Sequence, residues 1–279
     1  MQEIHIVDIR KLTDVIKTKY GFDFTNYAIS SFKRRVLRIL ELYKFGSIDA
    51  LARKISDDPK FFEEFISEIT VNVTEMFRDP SFWRIMRDKI IPNILLNHER
   101  VTVWHAGCSS GEEVYSMAIL LKEMGILENS KIIATDIDDQ ILSRARSGVY
   151  TVKNMELNEK NYVRFRGENE LNKYFEVKNG LAYMDKSLVK DVSYRKHDLV
   201  NGIVFNKFDI VLCRNVMIYF NQNLQNDVLK KLHESVFKYG YLAIGSKESL
   251  IWCDIASKFI VANNEEKIYK KTFFKIEKK

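Results

Sequence analysis

The sequence predicts an all-helical N-terminal domain followed by a doubly wound α/β domain that carries a small antiparallel insertion. Residues 4–70 read as short amphipathic helices with apolar positions at helical spacing. After about residue 99, continuous apolar runs of strand length alternate with helical patterns, which is typical of a parallel sheet covered on both faces. A two-residue hairpin signal, Asn179-Gly180, interrupts this alternation.

The N-terminal helices are bounded by residues that favour helix ends. Gly21 and Gly46 interrupt the helical pattern. Ser47 and Asp58 can accept hydrogen bonds from the first amides of a helix. The pattern therefore predicts several short helices in this part of the chain.

One of these helices carries a basic stripe. At about 100° per residue, Arg34, Arg35 and Arg38 lie on one side of a helix, and the apolar residues between them can face a core. The chain has 44 Lys and Arg against 38 Asp and Glu, so its net charge is +6. A polyanionic partner such as nucleic acid, an anionic membrane or an acidic protein surface is one interpretation, and a solvated helix face is the other.

Composition and cysteine spacing exclude several classes of protein. Hydrophobic residues make up 46% of the chain, which excludes disorder as its main state. No uncharged apolar run approaches the ~18 residues that span a bilayer, and residues 1–11 lack the apolar core of a signal peptide. Cys108, Cys213 and Cys253 fit neither a disulfide framework nor a zinc site. We expect a cytoplasmic monomer without a metal and without membrane insertion.

The elements of the α/β part follow from apolar runs and helical periods. Short apolar runs predict strands at residues 101–104, 131–135, 208–213 and 241–245. Helical patterns lie between or after them, at residues 112–124, 139–146 and 223–237. The insertion begins with a predicted helix at 157–171 and continues with strands at 174–177 and 181–184. We therefore expect domains at residues 1–75 and 76–279, with the inserted β-subdomain at about 172–192.

The first predicted strand ends in a glycine turn at residues 106–111, and a helix begins at Glu112. Such a turn lets a ligand approach the backbone and meet the free amides at the start of the helix. The pattern lacks Gly-x-Gly-x-x-Gly and the lysine of a P-loop, which disfavours pyrophosphate and triphosphate ligands. For this segment alone, a tight turn without a ligand is the alternative.

The second predicted strand ends at Asp136. A carboxylate at this tip can accept hydrogen bonds from both hydroxyls of a ribose, whereas an exposed turn aspartate is the alternative. Together with the glycine turn, Asp136 predicts a nucleoside ligand without a diphosphate. This combination points to S-adenosylmethionine.

Polar residues also follow the strand predicted at 208–213. Arg214 and Asn215 come directly after it, and Tyr219 lies four residues further on, at the sheet edge where α/β proteins bind ligands. A capping asparagine with Tyr219 in the core is the alternative. Upstream, residues 72–79 by themselves read as a helix N-cap and a first turn.

Taken together, four segments resemble the chemotaxis-receptor glutamate methyltransferases of the CheR family. They are Asn72-x-Thr74-x-x-x-Arg78, Gly107-Cys108-Ser109-Ser110-Gly111-Glu112-Glu113-x-Tyr115-Ser116, Ala134-Thr135-Asp136-Ile137-Asp138 and Cys213-Arg214-Asn215-Val216-Met217-Ile218-Tyr219-Phe220. The resemblance covers nearly the whole chain in order. It implies a Rossmann-like methyltransferase domain and methyl transfer from S-adenosylmethionine to a receptor glutamate, which gives a methyl ester and S-adenosylhomocysteine.

The resemblance also implies roles for individual residues. The cofactor-binding set is Asn72, Thr74, Arg78, Gly107, Glu112, Asp136, Asp198, Leu199, Arg214 and Asn215. Within it, Asn72, Thr74 and Arg78 would close over the cofactor from the linker between the domains. The helix with Arg34, Arg35 and Arg38 would face the cytoplasmic helical bundle of a methyl-accepting chemoreceptor, and no nucleic acid is expected as a partner.

Methyl transfer to a glutamate places few chemical demands on the enzyme. A glutamate with a pKa near 4.3 is already ionised at neutral pH, so no general base is needed. The enzyme has mainly to align the reacting atoms and to exclude water. Tyr219 and Arg78 are the candidate catalytic residues, because they can orient the incoming carboxylate.

Two further features of the sequence bear on which partner and which substrate the protein uses. The hairpin loop is reduced to Asn179-Gly180, so we expect no tether to a receptor tail peptide. The Asp/Asn-Pro-Pro-Tyr/Phe motif of amino-directed nucleic-acid methyltransferases is missing from the sequence. A non-catalytic signalling module that binds S-adenosylmethionine or S-adenosylhomocysteine is the remaining alternative.

Overall fold

The computed structural model describes residues 4–70 and 73–272. The N-terminal domain consists of the helices α1 (Ile6–Tyr20), α2 (Ile29–Leu42), α3 (Ile48–Asp57) and α4 (Pro59–Ile69). Their apolar faces meet in one core, in which Leu12, Val36 and Phe65 are fully buried. Among the helices of the described ranges, none combines the length and the apolar character that crossing a membrane requires. The helical character predicted for residues 4–70 is confirmed.

The predicted helix ends have the expected hydrogen bonds. The Ser47 hydroxyl accepts from the amide of Ala50 at 3.2 Å, and the Asp58 carboxylate accepts from the amide of Lys60 at 3.0 Å. Gly21 ends α1 in the left-handed conformation, with φ of 76°. These short helices are therefore separated at the positions that their sequence predicts.

Residues 73–79 form no helix, so the expectation of a capped first turn at this point is wrong. Phe77 and Asp79 both have positive φ, and the amide of Phe77 donates to the Ser116 hydroxyl at 2.8 Å. This tertiary hydrogen bond replaces the local one that a helix would supply. The elements that follow are α5 (Pro80–Ile85), a π-helical turn (Met86–Ile90) and α6 (Ile91–Leu95).

The C-terminal domain alternates strands and helices as predicted. In chain order they are β1 (Thr102–Ala106), α7 (Glu112–Glu123), β2 (Lys131–Asp136), α8 (Asp139–Ser147), β3 (Val149–Thr151), α9 (Val152–Phe165), β4 (Phe175–Lys178), β5 (Leu181–Met184), β6 (Ser193–Lys196), β7 (Phe208–Cys213), α10 (Gln222–Glu234), β8 (Val236–Ile244), β9 (Phe259–Asn263) and β10 (Ile268–Lys271). The main sheet has the order β6-β2-β1-β7-β8-β10-β9. The first five strands in this order are parallel, and β10 and β9 add an antiparallel edge. The winding reverses between β1 and β7, where open α/β sheets bind ligands.

Some element bounds differ from the sequence-based expectation. The helix predicted at 157–171 lies earlier, because the Thr151 hydroxyl caps α9 by accepting from an amide. The helix predicted at 223–237 ends sooner, because β8 already begins at Val236. The edge strand β9 was not predicted, although residues 259–262 are a continuous apolar run.

The insertion is a three-stranded antiparallel sheet in the order β3-β5-β4. Asn179 and Gly180 both have positive φ, as a type I′ turn between β4 and β5 requires. The predicted hairpin is therefore confirmed. Its third strand, β3, comes from before α9 and so lies outside the range of about 172–192.

The N-terminal domain is fastened to the chain that follows β7. The Ala28 amide donates to the Tyr219 carbonyl at 2.8 Å, and the Asn221 amide donates to the Asn26 carbonyl at 2.9 Å. The rings of Tyr27 and Phe220 meet edge to face, with centroids 5.0 Å apart. These contacts hold the first turns of α2 over the carboxyl edge of the sheet.

Candidate functional site

A cavity lies between α2 and the carboxyl ends of β1, β2 and β7. Its empty volume is about 1130 Å³, including the space that opens to solvent. Nine of the site residues predicted from the sequence line it: Thr74, Arg78, Gly107, Asp136, Asp198, Leu199, Arg214, Asn215 and Tyr219. Asn72 lies outside the described residues, and Glu112 is not among the lining residues. The fold thus gathers five distant segments at one place.

The glycine turn after β1 requires its first glycine. Gly107 has φ of 83°, and a Cβ at this position would lie only 2.6 Å from a methyl carbon of Val216. The amides of Gly107 and Cys108 both donate to the Thr135 carbonyl, each at 2.9 Å. The turn is therefore fixed against β2 and keeps its backbone at the cavity wall.

Asp136 places a buried carboxylate in the same wall. It accepts hydrogen bonds from the amides of Ser109 at 2.8 Å and Asp138 at 3.2 Å, and the residue is only 8% exposed. Burial raises the pKa of Asp136 to about 6, although these amides oppose the shift. A desolvated carboxylate of this kind is a strong acceptor for hydroxyl groups of a ligand.

The two glutamates at the start of α7 have different surroundings. Glu112 is buried away from the cavity, accepts from the Ser110 hydroxyl at 2.7 Å, and has its pKa raised to about 7 by burial. Glu113 lines the cavity, and its carboxylate contacts His105 at 2.9 Å and Arg214 at 3.1 Å. Burial alone would raise the pKa of Glu113, but these two partners hold it below its ordinary value. The geometry favours Glu113 over Glu112 as the glutamate that contacts a ligand.

Arg214 connects three elements of the site. Its guanidinium pairs with Asp79 at 2.6 Å and with Glu113 at 3.1 Å, and it lies 4.0 Å from the centre of the Phe82 ring. The side chain is almost completely buried. Because both carboxylates are already engaged, Arg214 fixes the segment that carries Arg78 against β7 and α7.

Tyr219 is half-buried at the cavity mouth, and Arg35 and Arg78 line the same cavity. The Arg35 guanidinium is 4.9 Å from the centre of the Tyr219 ring, and one of its nitrogens donates to the Ile69 carbonyl at 2.6 Å. Burial raises the pKa of the Tyr219 phenol, although the charges of Arg35 and Arg78 oppose part of this shift. The phenol is therefore protonated at neutral pH and can act as a hydrogen-bond donor.

The position of Arg35 divides the basic stripe that the sequence predicts. Arg35 is half-buried and lines the cavity, whereas Arg34 and Arg38 are exposed on the outer side of α2. The helical period alone could not separate them, because the difference arises from how α2 packs on the sheet. Only Arg34 and Arg38 therefore form an outward basic surface on this helix.

The loop after β6 forms another part of the wall. Asp198 accepts from the amide of Val200 at 2.7 Å and from the side chain of Asn201 at 2.9 Å. Leu199 and Val200 line the cavity beside it and present an apolar surface suited to a flat ring.

Tyr27 and Glu113 also line the cavity, although the sequence analysis did not predict them as site residues. Tyr27 belongs to none of the four motif segments. Glu113 belongs to the second, where the role was assigned to its neighbour Glu112.

S-adenosylmethionine fits these residues. The cavity is of the size that holds a nucleoside ligand, and Gly107 leaves room for close approach to the backbone. Asp136 is placed to accept from a ribose, while the apolar side chains of Leu199 and Val200 suit an adenine. The strand order and this cavity define the protein as an S-adenosylmethionine-dependent methyltransferase.

The comparison with known families specifies the class further. The family described as the SAM-binding domain of CheR methyltransferases matches residues 72–268, and the all-alpha domain of CheR methyltransferases matches residues 7–70. The chain belongs to the CheR methyltransferase family. The resemblance drawn from the four motifs is confirmed, as is the Rossmann-like fold preceded by a helical domain.

Relatives match along most of the chain. The Cher3 protein of Pseudomonas putida is 40% identical over 266 residues, which are 95% of this chain and 97% of that protein. A chemotaxis protein methyltransferase of Listeria innocua is 32% identical over 246 residues, 88% of this chain and 90% of its own length. Its counterpart in Listeria monocytogenes is 31% identical over 245 residues, with the same two coverages.

Proposed function

We propose that this methyltransferase acts on glutamate side chains of a methyl-accepting chemoreceptor and produces glutamate methyl esters. The observation that carries the proposal is the cavity mouth, where the Arg35 guanidinium lies against the Tyr219 ring and Arg78 lines the same cavity. A carboxylate acceptor complements the charges of these two arginines. Relatives named chemotaxis protein methyltransferases support the same acceptor class. A non-catalytic binding module is not favoured.

The proposed cofactor site uses residues of all four segments. When bound, S-adenosylmethionine supplies an electrophilic methyl group on a sulfonium. Asp136 accepts hydrogen bonds from the ribose, and Leu199 packs against the adenine. Thr74 and Arg78 cover the site from the segment that precedes α5. Gly107 and Asn215 shape the wall between them, and Arg214 holds that wall in place.

The proposed catalytic task is the orientation of an anion. The protonated Tyr219 phenol donates to one oxygen of the incoming glutamate, and Arg78 pairs with the same carboxylate. Within residues 4–70 and 73–272, no carboxylate forms an ion pair with Arg78, so its guanidinium can receive the acceptor. The other carboxylate oxygen then faces the interior of the cavity, where α2 and the segment before α5 exclude water.

A direct test combines methyl transfer with the chemistry of the product. The purified protein is incubated with methyl-labelled S-adenosylmethionine and the cytoplasmic helical fragment of a chemoreceptor from the same organism. We expect label in the receptor that is released as methanol by mild alkali, because esters hydrolyse under conditions that leave methylated amines intact. Alkali-stable label, or no transfer despite cofactor binding, would contradict the proposal.

The buried carboxylate predicts how cofactor binding depends on pH. Burial raises the pKa of Asp136 to about 6, and hydrogen bonds from a ribose favour its ionised form. Binding of S-adenosylmethionine should therefore weaken as the pH falls below 6, by at most about tenfold per unit. Calorimetric titration between pH 5 and 7.5 measures this, and Asp136→Asn should remove the dependence. An unchanged profile in Asp136→Asn would assign the titration to another group.

The outward basic surface of α2 predicts steering of an acidic partner. The double variant Arg34→Glu with Arg38→Glu should raise KM for the receptor fragment about tenfold and reduce its dependence on salt, because it removes an attractive surface. The affinity for S-adenosylmethionine should not change. Lys153→Glu with Lys160→Glu is a control of equal charge on the exposed face of α9. Equal KM values for both double variants would leave Arg34 and Arg38 as a solvated helix face.

A further inference from the structure

A group of exposed apolar side chains, called the apolar ridge below, lies in the segments that follow β7 and β8. It consists of Ile218, Ile251 and Trp252, which are 40%, 71% and 81% exposed. The other two tryptophans, Trp83 and Trp104, are buried in the core. Adjacent large apolar side chains with this exposure are typical of a surface that another molecule covers.

Hydrogen bonds place this apolar ridge beside the site. The buried Glu248 carboxylate accepts from the amide of Ile218 at 3.1 Å, and Ile251 is three residues further along the chain. Three residues span at most about 10 Å, so Ile251 lies within about that distance of Glu248. The same loop contacts α10 through Cys253 and Gln222, whose sulfur and nitrogen are 3.9 Å apart. Since α10 begins directly after the segment with Tyr219, the ridge and the mouth form one surface.

The charges around this surface are positive in sum. Arg34 is close enough to Tyr219 to affect the pKa of its phenol, and Arg38 is one turn further along α2. Lys247 is exposed in the loop that leads to the ridge. The nearby Asp254 and Asp227 share Lys230, whose nitrogen is 3.0 Å and 3.7 Å from their carboxylates, so these three side chains leave one negative charge against the three positive ones. The ridge therefore faces a partner that combines apolar side chains with acidic ones.

We propose that the apolar ridge binds the apolar face of the same acidic receptor helix whose glutamate enters the cavity. The inference rests on the proposed function and adds to it a specificity surface. In an amphipathic helix, residues three or four positions apart share a face, about 5 to 6 Å from one another. A helix laid across the mouth can thus place acidic residues near Arg34 and Arg38, a glutamate over Tyr219 and apolar residues on Ile251 and Trp252.

Trp252 provides a direct measurement. We expect acrylamide to quench the fluorescence of Trp252 in the protein alone, because the two buried tryptophans are shielded. A saturating amount of the cytoplasmic helical fragment of the receptor should remove this quenching and shift the emission to shorter wavelength. The variant Trp252→Phe should show neither change while it still binds the fragment. Undiminished quenching at saturation would overturn the proposal.

Steady-state kinetics of ridge variants provide a second test of the proposal. Trp252→Ala and Ile251→Ser should each raise KM for the receptor fragment about tenfold, with kcat at saturation and the affinity for S-adenosylmethionine unchanged. Leu96→Ala is the matched control, since Leu96 is 78% exposed but precedes the amino end of β1, at the opposite edge of the sheet. Equal KM values for all three variants would contradict the proposal.

Two other outcomes separate the possible failures. If Trp252 becomes shielded as the protein concentration rises without any receptor, the ridge is an interface between copies of this chain and the proposal is wrong. If the wild-type protein methylates the receptor while Trp252 stays quenchable, only the ridge assignment fails. If the wild-type protein does not methylate the receptor, the proposed function fails and the inference fails with it.

Discussion

Replacing Asp136 by alanine is expected to weaken the binding of S-adenosylmethionine by about 100-fold or more. Hydrogen bonds to a charged group contribute about 1.5 to 3 kcal/mol each, and a ribose offers two hydroxyls to this carboxylate. A loss of about 3 kcal/mol corresponds to slightly more than two powers of ten in Kd. Calorimetric titration with S-adenosylmethionine and S-adenosylhomocysteine, on wild type and Asp136→Ala, measures the change.

The control for this variant must separate binding from folding. Asp136 also accepts from the amides of Ser109 and Asp138, so its removal could disturb the glycine turn. Asp136→Asn keeps one oxygen as an acceptor and should lose less affinity than the alanine variant. Asp139→Ala removes an exposed carboxylate three residues away and should bind as the wild type does. Wild-type affinity in a correctly folded Asp136→Ala would place the ribose elsewhere.

The order of the helical and α/β domains was predictable because each leaves a strong local pattern. Strands buried on both faces give continuous apolar runs, and β7 has the bounds that its run predicts, residues 208–213. The antiparallel edge formed by β9 and β10 was not predictable in the same way. Residues 259–262 are an apolar run as well, but Ile260 and Val261 are exposed in β9, so such a run does not show whether a strand is central or at an edge. Only the pairing of β10 with β8 and of β9 with β10 defines this edge.

The candidate site shows the same division between local and tertiary information. Gly107 and Arg214 follow strands and Asp136 is the last residue of one, so their place at one sheet edge could be inferred from strand order alone. Arg35 could not be separated from its basic neighbours, because its place in the cavity wall depends on how α2 crosses the segment after β7. Sequence motifs therefore identified the part of the site at the carboxyl ends of the strands, whereas the packing of the helical domain defined the cavity mouth.

Replacing Arg78 by alanine is expected to lower kcat for receptor methylation by about 100- to 1000-fold. The magnitude is that of removing one preorganised donor from a reacting anion, and Arg78 is the only Lys or Arg in residues 73–79. Single-turnover transfer to the receptor fragment at saturating cofactor measures the step. Arg78→Lys retains the positive charge but lacks the guanidinium group that makes two parallel hydrogen bonds to a carboxylate, so its methylation rate should lie between those of Arg78→Ala and the wild type. Tyr219→Phe should lose less than Arg78→Ala, since it removes a neutral donor. If Arg78→Ala and Tyr219→Phe both turn over like the wild type with unchanged cofactor affinity, the orientation of the carboxylate depends on other groups, and Arg35 is the next one to change.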